Sequence, residues 1–127
     1  MKNLYQNKYF LERKIKFRFF CPPASSFVEQ YNYNGAVDDL FNYEDPTLVP
    51  SQYIGIEDIN KKEVYEGDII TYQNSFNEAK KAVIQYRFTS FVAKLINAQS
   101  TLDFLFIHDL GPAVEVIGNI FENPDLI

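Results

Sequence analysis

His108 stands directly before Asp109, a pairing that a general base can use to hold its imidazole in one tautomer. General-base chemistry also needs a nucleophile, and the lone Cys21 is the residue to set against it. Pro22-Pro23 follows that cysteine at once, however, and does not provide the helix N-terminus that would lower a thiol pKa. His108 is therefore expected at a strand end without catalytic duty, and Cys21 as a small buried hydrophobe. Glu57, Asp58, Glu63, Glu66 and Asp68 crowd one short stretch, where carboxylate oxygens could hold a divalent cation. They lack the ordered alternation of a calcium loop and read as solvated hairpin charges. There is no Cys/His cluster for zinc and no Gly-rich phosphate cradle. The expectation is no catalytic residue, no metal and no cofactor.

One further set of residues suggests binding chemistry. In Lys14-Ile-Lys-Phe-Arg-Phe-Phe20, the cations Lys14, Lys16 and Arg18 alternate with Ile15, Phe17 and Phe19, the period of a strand with one apolar face. Cations beside aromatic rings suit a nucleic-acid strand, with Lys8 and Arg13 extending the face. The same alternation is shown by any strand that turns its polar side to water.

These residues must be held by short strands. Cys21-Pro22-Pro23 ends the first, and a second aromatic strand runs from Phe27 to Tyr33 and stops at Asn34-Gly35. Ala36 to Tyr43 has Val37, Leu40 and Phe41 at the spacing of a short helix or turn, broken at Asp45-Pro46. Leu48 to Ile54 reads as extended, with Pro50 at an edge or bulge. The tip Glu57–Lys62 leads into Glu63-Val-Tyr65, and Gly67-Asp68 turns the chain into Ile69–Tyr72. Strands follow at Ala82–Phe88, Phe91–Ile96, Leu102–Ile107 and Val114–Ile120, with Ala82, Ile84, Tyr86 and Phe88 on one face. Asn123-Pro124 then redirects the tail so that Leu126 and Ile127 dock back. The expected organisation is an irregular leader over residues 1–13 and a single β domain over residues 14–127, with no internal repeat.

Composition is consistent with that reading. The chain has 127 residues, nine Tyr and twelve Phe, so its core is expected to be aromatic-rich and its local preference extended. A formal charge of −5 is the wrong sign for a protein that coats a nucleic-acid backbone. No apolar run approaches the roughly twenty residues needed to span a bilayer, and Met1–Lys8 is followed by no apolar signal core. A single cysteine fits a reducing compartment. These features together predict a cytoplasmic protein.

Two phrases carry a resemblance. Gln52-Tyr-Ile-Gly-Ile-Glu-Asp-Ile-Asn-Lys-Lys-Glu-Val-Tyr-Glu-Gly-Asp-Ile-Ile70 and Val116-Ile-Gly-Asn-Ile-Phe-Glu-Asn-Pro-Asp-Leu126 are similar to patterns of the YopX family, small proteins of bacteriophages, prophages and other bacterial mobile elements. Ile15-Lys-Phe-Arg18 resembles that family's N-terminal phrase. Two departures stand out: Phe19-Phe20 replace a small residue and Trp, and Lys61 stands where the family often has Gly, which predicts a changed turn type. The resemblance implies a mainly β fold, barrel-like or of bent and branching antiparallel sheets, with at most short helices. It implies no established activity. The resulting expectation is a non-catalytic accessory protein of a phage or prophage that binds a protein partner or itself. The alternative is nucleic-acid binding through Lys14, Lys16 and Arg18.

Overall fold

The computed structural model describes residues 14–32, 48–96 and 103–127. The leader 1–13 and the short helix or turn expected at Ala36–Tyr43 lie outside them. The first sheet is built from β1 (Lys16–Cys21), β2 (Ser26–Asn32), β3 (Val49–Glu57) and β4 (Glu63–Tyr65), in the order β2-β1-β3-β4. The second comprises β5 (Asp68–Gln73), β6 (Ala79–Arg87), β7 (Ser90–Leu95), β8 (Phe104–Phe106) and β9 (Glu115–Asn119), in the order β8-β7-β6-β5-β9, and curls into a half-barrel. Every pairing is antiparallel. Among the described residues, only one-turn 3-10 helices interrupt the strands, at Pro22–Ala24, Ile107–Leu110 and Pro124–Leu126. The expected mainly β architecture of bent sheets is what the chain adopts.

Alternation decides what each strand buries. On β6, Ala82 and Ile84 join Ile70, Tyr72, Ala93, Val64, Leu110 and Val114 in the main core, against the inner face of the half-barrel. A smaller core collects Phe17 and Phe19 with Ile15 and Leu48. A third apolar centre is a triangle of rings, Phe20, Phe27 and Phe121, with centroids 5.1 to 5.7 Å apart. Pro50 pairs with Phe19 on β1, on a part of β3 where β4 pairs only from Tyr53 to Glu57. Its missing N–H therefore faces no ladder, as its chemistry requires.

Three local expectations need correction. Phe88 does not continue the Ala82 face: it sits in the two-residue β6–β7 turn with φ 54°, followed by Thr89 at 65°. The six-pair ladder on either side forces that left-handed turn on two residues that resist it. At the chain end Leu126 reaches the backbone of Gly118, but Ile127 remains exposed. Lys61 does not change the turn type, because it adopts φ 67° itself. Asp58 holds the loop closed around it, accepting the amides of Asn60 and Lys62 on Oδ1 at 2.8 and 2.9 Å.

A left-handed conformation costs a non-glycine residue about 1–2 kcal/mol, partly offset in glycine by its greater freedom when unfolded. Lys61→Gly is accordingly expected to raise the unfolding free energy by about 0.5–1 kcal/mol, measured by urea denaturation.

Candidate functional site

The polar face of β1 is turned inward. Arg18 is 7% exposed, and its guanidinium donates to Asp68 Oδ1 at 2.7 Å and to Ser51 Oγ at 3.1 Å. Its flat faces lie 4.2 Å from the Phe27 ring centre and 4.7 Å from that of Tyr65, where a weakly hydrated guanidinium is favoured. Asp68 opens β5, so this pair joins the two sheets. Its second oxygen accepts the Tyr65 amide at 2.8 Å. Burial pushes the Asp68 carboxyl above the ordinary carboxylate range, while Arg18 and the Tyr65 amide pull it back. Lys16 pairs with Glu63 at 2.7 Å, and Lys14 alone of the three cations is exposed. The solvent-facing reading of this strand is thus corrected for Arg18: its charge is matched by an aspartate fifty positions downstream, beyond the reach of local periodicity.

The acidic set has also dispersed into separate tasks. Asp58, expected in solvent, is 8% exposed and receives a third amide, from Val116 of β9, on Oδ2 at 3.0 Å. Burial alone raises its pKa, but the amides of Val116, Lys62 and Asn60 outweigh it and hold the carboxyl below its ordinary value. Glu66 accepts the Gln52 amide at 3.1 Å, and burial raises its pKa against that bond. Glu63 is held by Lys16, which leaves Glu57 on the surface.

The two family-like phrases meet in space. Asp68 pairs with Asn119 across β5 and β9, and the Ile120 amide donates to Gly67 O at 2.8 Å. Gly67 has φ 83°, and a Cβ there would lie 2.8 Å from the Phe121 ring. A Cβ on Gly118 would lie 2.7 Å from Asn123 Oδ1 and 2.9 Å from Leu126. Both glycines are therefore required by close approach as well as, at Gly67, by backbone conformation.

A groove opens between the sheets on the other side of β3. Two adjoining clefts of about 550 and 400 Å³ share the Phe91 side chain. The larger is lined by Ile56, Phe106, Ile107 and Val114, with Glu57, Ser90 and His108 as its polar groups. The smaller takes Gln52–Gly55 from β3, with Lys14 and Ile15 from the chain just before β1. The Ser90 hydroxyl is buried with no hydrogen-bond partner among the described residues, as is that of Tyr65. His108 follows β8 in the short 3-10 turn, largely exposed, stacked on Phe106 at 5.8 Å with Nε2 3.4 Å from Asp109. It shares the cleft with Ser90, yet that hydroxyl makes no hydrogen bond to it. Cys21, at the opposite end of β1, borders neither cleft. Periodicity could not foresee Ser90 and Phe91 as site residues, because the groove arises from how the two sheets meet.

A family model described as YopX protein matches residues 3–127. Among solved structures, the crystal structure of protein EF1440 from Enterococcus faecalis superposes with a TM-score of 0.60 at 20% sequence identity. The alignment covers 91% of this chain and 99% of that one, which shows a common fold. No curated protein matches the chain.

The Asp58 geometry fixes a pH dependence. A carboxyl whose folded pKa lies below its unfolded value adds stability above the unfolded pKa, and this is lost as pH falls through the folded one. Asp58→Asn replaces the acceptor for Val116 by an N–H donor, at an expected cost of about 1–3 kcal/mol near neutral pH. In urea titrations at a series of pH values, the gap between the two proteins should narrow as the solution is acidified through the carboxylate range.

Proposed function

The chain belongs to the YopX family, and from that premise we propose that it is a non-catalytic accessory protein of a bacteriophage or prophage. It acts in the host cytoplasm by holding an extended segment of a partner protein. The observation that carries this reading is the groove along β3, apolar in most of its lining and ending in opposite charges. Lys14 stands at one end and Glu57 at the other, both exposed. Gln52–Glu57 supplies six residues of β3, or roughly 20 Å, the length of an extended segment of about the same number. Alternate apolar side chains of such a segment fit the spaces on either side of Phe91. The favoured segment carries an acidic residue at the Lys14 end and a basic one at the Glu57 end.

A catalytic reading has less support, since Ser90 has no base bonded to it and His108 is held beside Asp109. The nucleic-acid alternative rests on Lys14, the one exposed cation of the basic strand. It requires a salt-sensitive signal on a single-stranded oligonucleotide that Lys14→Ala removes.

The peptide reading is tested by fluorescence anisotropy with short synthetic peptides of alternating apolar residues, flanked by one acidic and one basic residue in either order. One order should bind better than the other. The double charge reversal Lys14→Glu with Glu57→Lys should invert that preference by several-fold. Failure of both orders to bind, or equal binding by the wild-type and reversed proteins, would overturn the reading.

A further inference from the structure

Among the described residues the two sheets end in four edge strands, β2, β4, β8 and β9. An open edge presents unpaired backbone groups to any passing strand, and natural proteins guard it with charge, proline or a bulge. β4 carries Glu63 and β9 carries Glu115. β8, Phe104-Leu-Phe106, carries no charge, no proline and no register shift, and among the described residues it pairs with β7 alone. Its surroundings are unusually apolar for a surface. Phe106 is 57% exposed, and in the adjoining β6–β7 hairpin Tyr86 and the strained Phe88 are 58% and 69% exposed. The Phe88 ring packs edge-on against Phe104 at 5.4 Å, so the turn strain sets an aromatic side chain beside the open edge.

We propose that β8 is a self-pairing edge, joining two copies of the chain in an antiparallel, two-fold β8–β8 contact centred on Leu105. The occupant follows from the strand's own symmetry. Pairing about Leu105 sets Phe104 opposite Phe106 of the second copy and repeats the same ring pair on the other side of the axis. Register with β7 places Phe104 and Phe106 on one face and Leu105 on the other, with Ala93 and the main core. The contact therefore continues an aromatic face on one side and the apolar core on the other. Arg87 and Lys94 lie over the Phe104 ring at 5.3 and 5.1 Å, so the pairing sets the second copy's Phe106 against a ring already faced by cations.

Phe106 also borders the larger cleft, but the dimer is read without any peptide present, so failure of this proposal and failure of the peptide reading are distinguishable. Sedimentation velocity on the full chain over a wide concentration range should show a monomer–dimer equilibrium. Hydrogen exchange at the β8 amides should slow as concentration rises. Phe106→Lys should weaken the dimer by about tenfold or more in Kd, because it sets a cation opposite the second copy's Phe104, over which Arg87 and Lys94 already lie. Phe76→Lys, at an 80% exposed position in the β5–β6 turn, should leave it unchanged, as should the Lys14 and Glu57 reversal. A chain that stays monomeric at every concentration overturns the proposal, and so does a dimer in which β8 exchange is independent of concentration. The exchange measurement needs no substitution, so a variant that fails to fold does not decide the matter.

Discussion

Arg18 and Asp68 are charged groups removed almost wholly from water, and the arrangement of the two sheets follows from how that burial is tolerated. Desolvating either ion alone costs several kcal/mol, so each must find the other with good geometry and have its remaining valences met. The chain provides this from six places. β1 supplies the guanidinium, β3 the Ser51 hydroxyl, the turn before β5 the Glu66 carbonyl and β5 the carboxylate, while the Phe27 and Tyr65 rings cover the planar faces. Ser51 in turn donates to the same Glu66 carbonyl at 2.6 Å. A slip of β1 by one residue would put Phe17 or Phe19 at the carboxylate and Arg18 in an apolar core, so the pair also sets the register between the sheets.

The rest of the molecule is arranged around this joint. Gly67 precedes Asp68, and its bare Cα lets the Phe121 ring close over the turn and stack on Phe20 of β1. The end of the last strand and the first sheet are thus fastened beside the ion pair by Phe121, which packs on both Phe20 and Phe27. Asp58 performs a similar service farther along, tying the β3–β4 tip to β9 through Val116. With the first sheet held at both places against the half-barrel, the other side of β3 stands open beside Phe91. The groove is the space left between two sheets whose mutual angle is fixed elsewhere.

Much of this architecture was legible in the chain because it is local. Period-two alternation located the strands, Gly67-Asp68 marked a turn, and the phrases from Gln52 and from Val116 pointed to one family. Misplaced features were those whose partners lie far away in sequence. Lys14, Lys16 and Arg18 share a face as their spacing requires, but spacing cannot tell a face toward water from one toward Asp68 and Glu63. Asp58 looked like one more hairpin charge, yet its second oxygen is aimed at an amide fifty-eight positions away. Phe88 looked like a strand residue because its apolarity outweighed any turn signal, and Lys61 gave no hint that it would accept a glycine's conformation. The groove was invisible for a related reason: Phe91 and Ser90 become site residues only when β7 is set beside β3.

The central claim is that Arg18 and Asp68 act as one buried unit joining the sheets, and a double-mutant cycle on folding stability tests it most directly. Arg18→Met, Asp68→Leu and the double variant would be compared with the parent by urea denaturation near neutral pH. If the pair is a unit, each single change strands a buried charge and costs about 3–5 kcal/mol, while the double change costs much less than the sum, with a coupling of about 2 kcal/mol or more. Costs that simply add would show that the two side chains stabilise the fold independently, and would contradict the account.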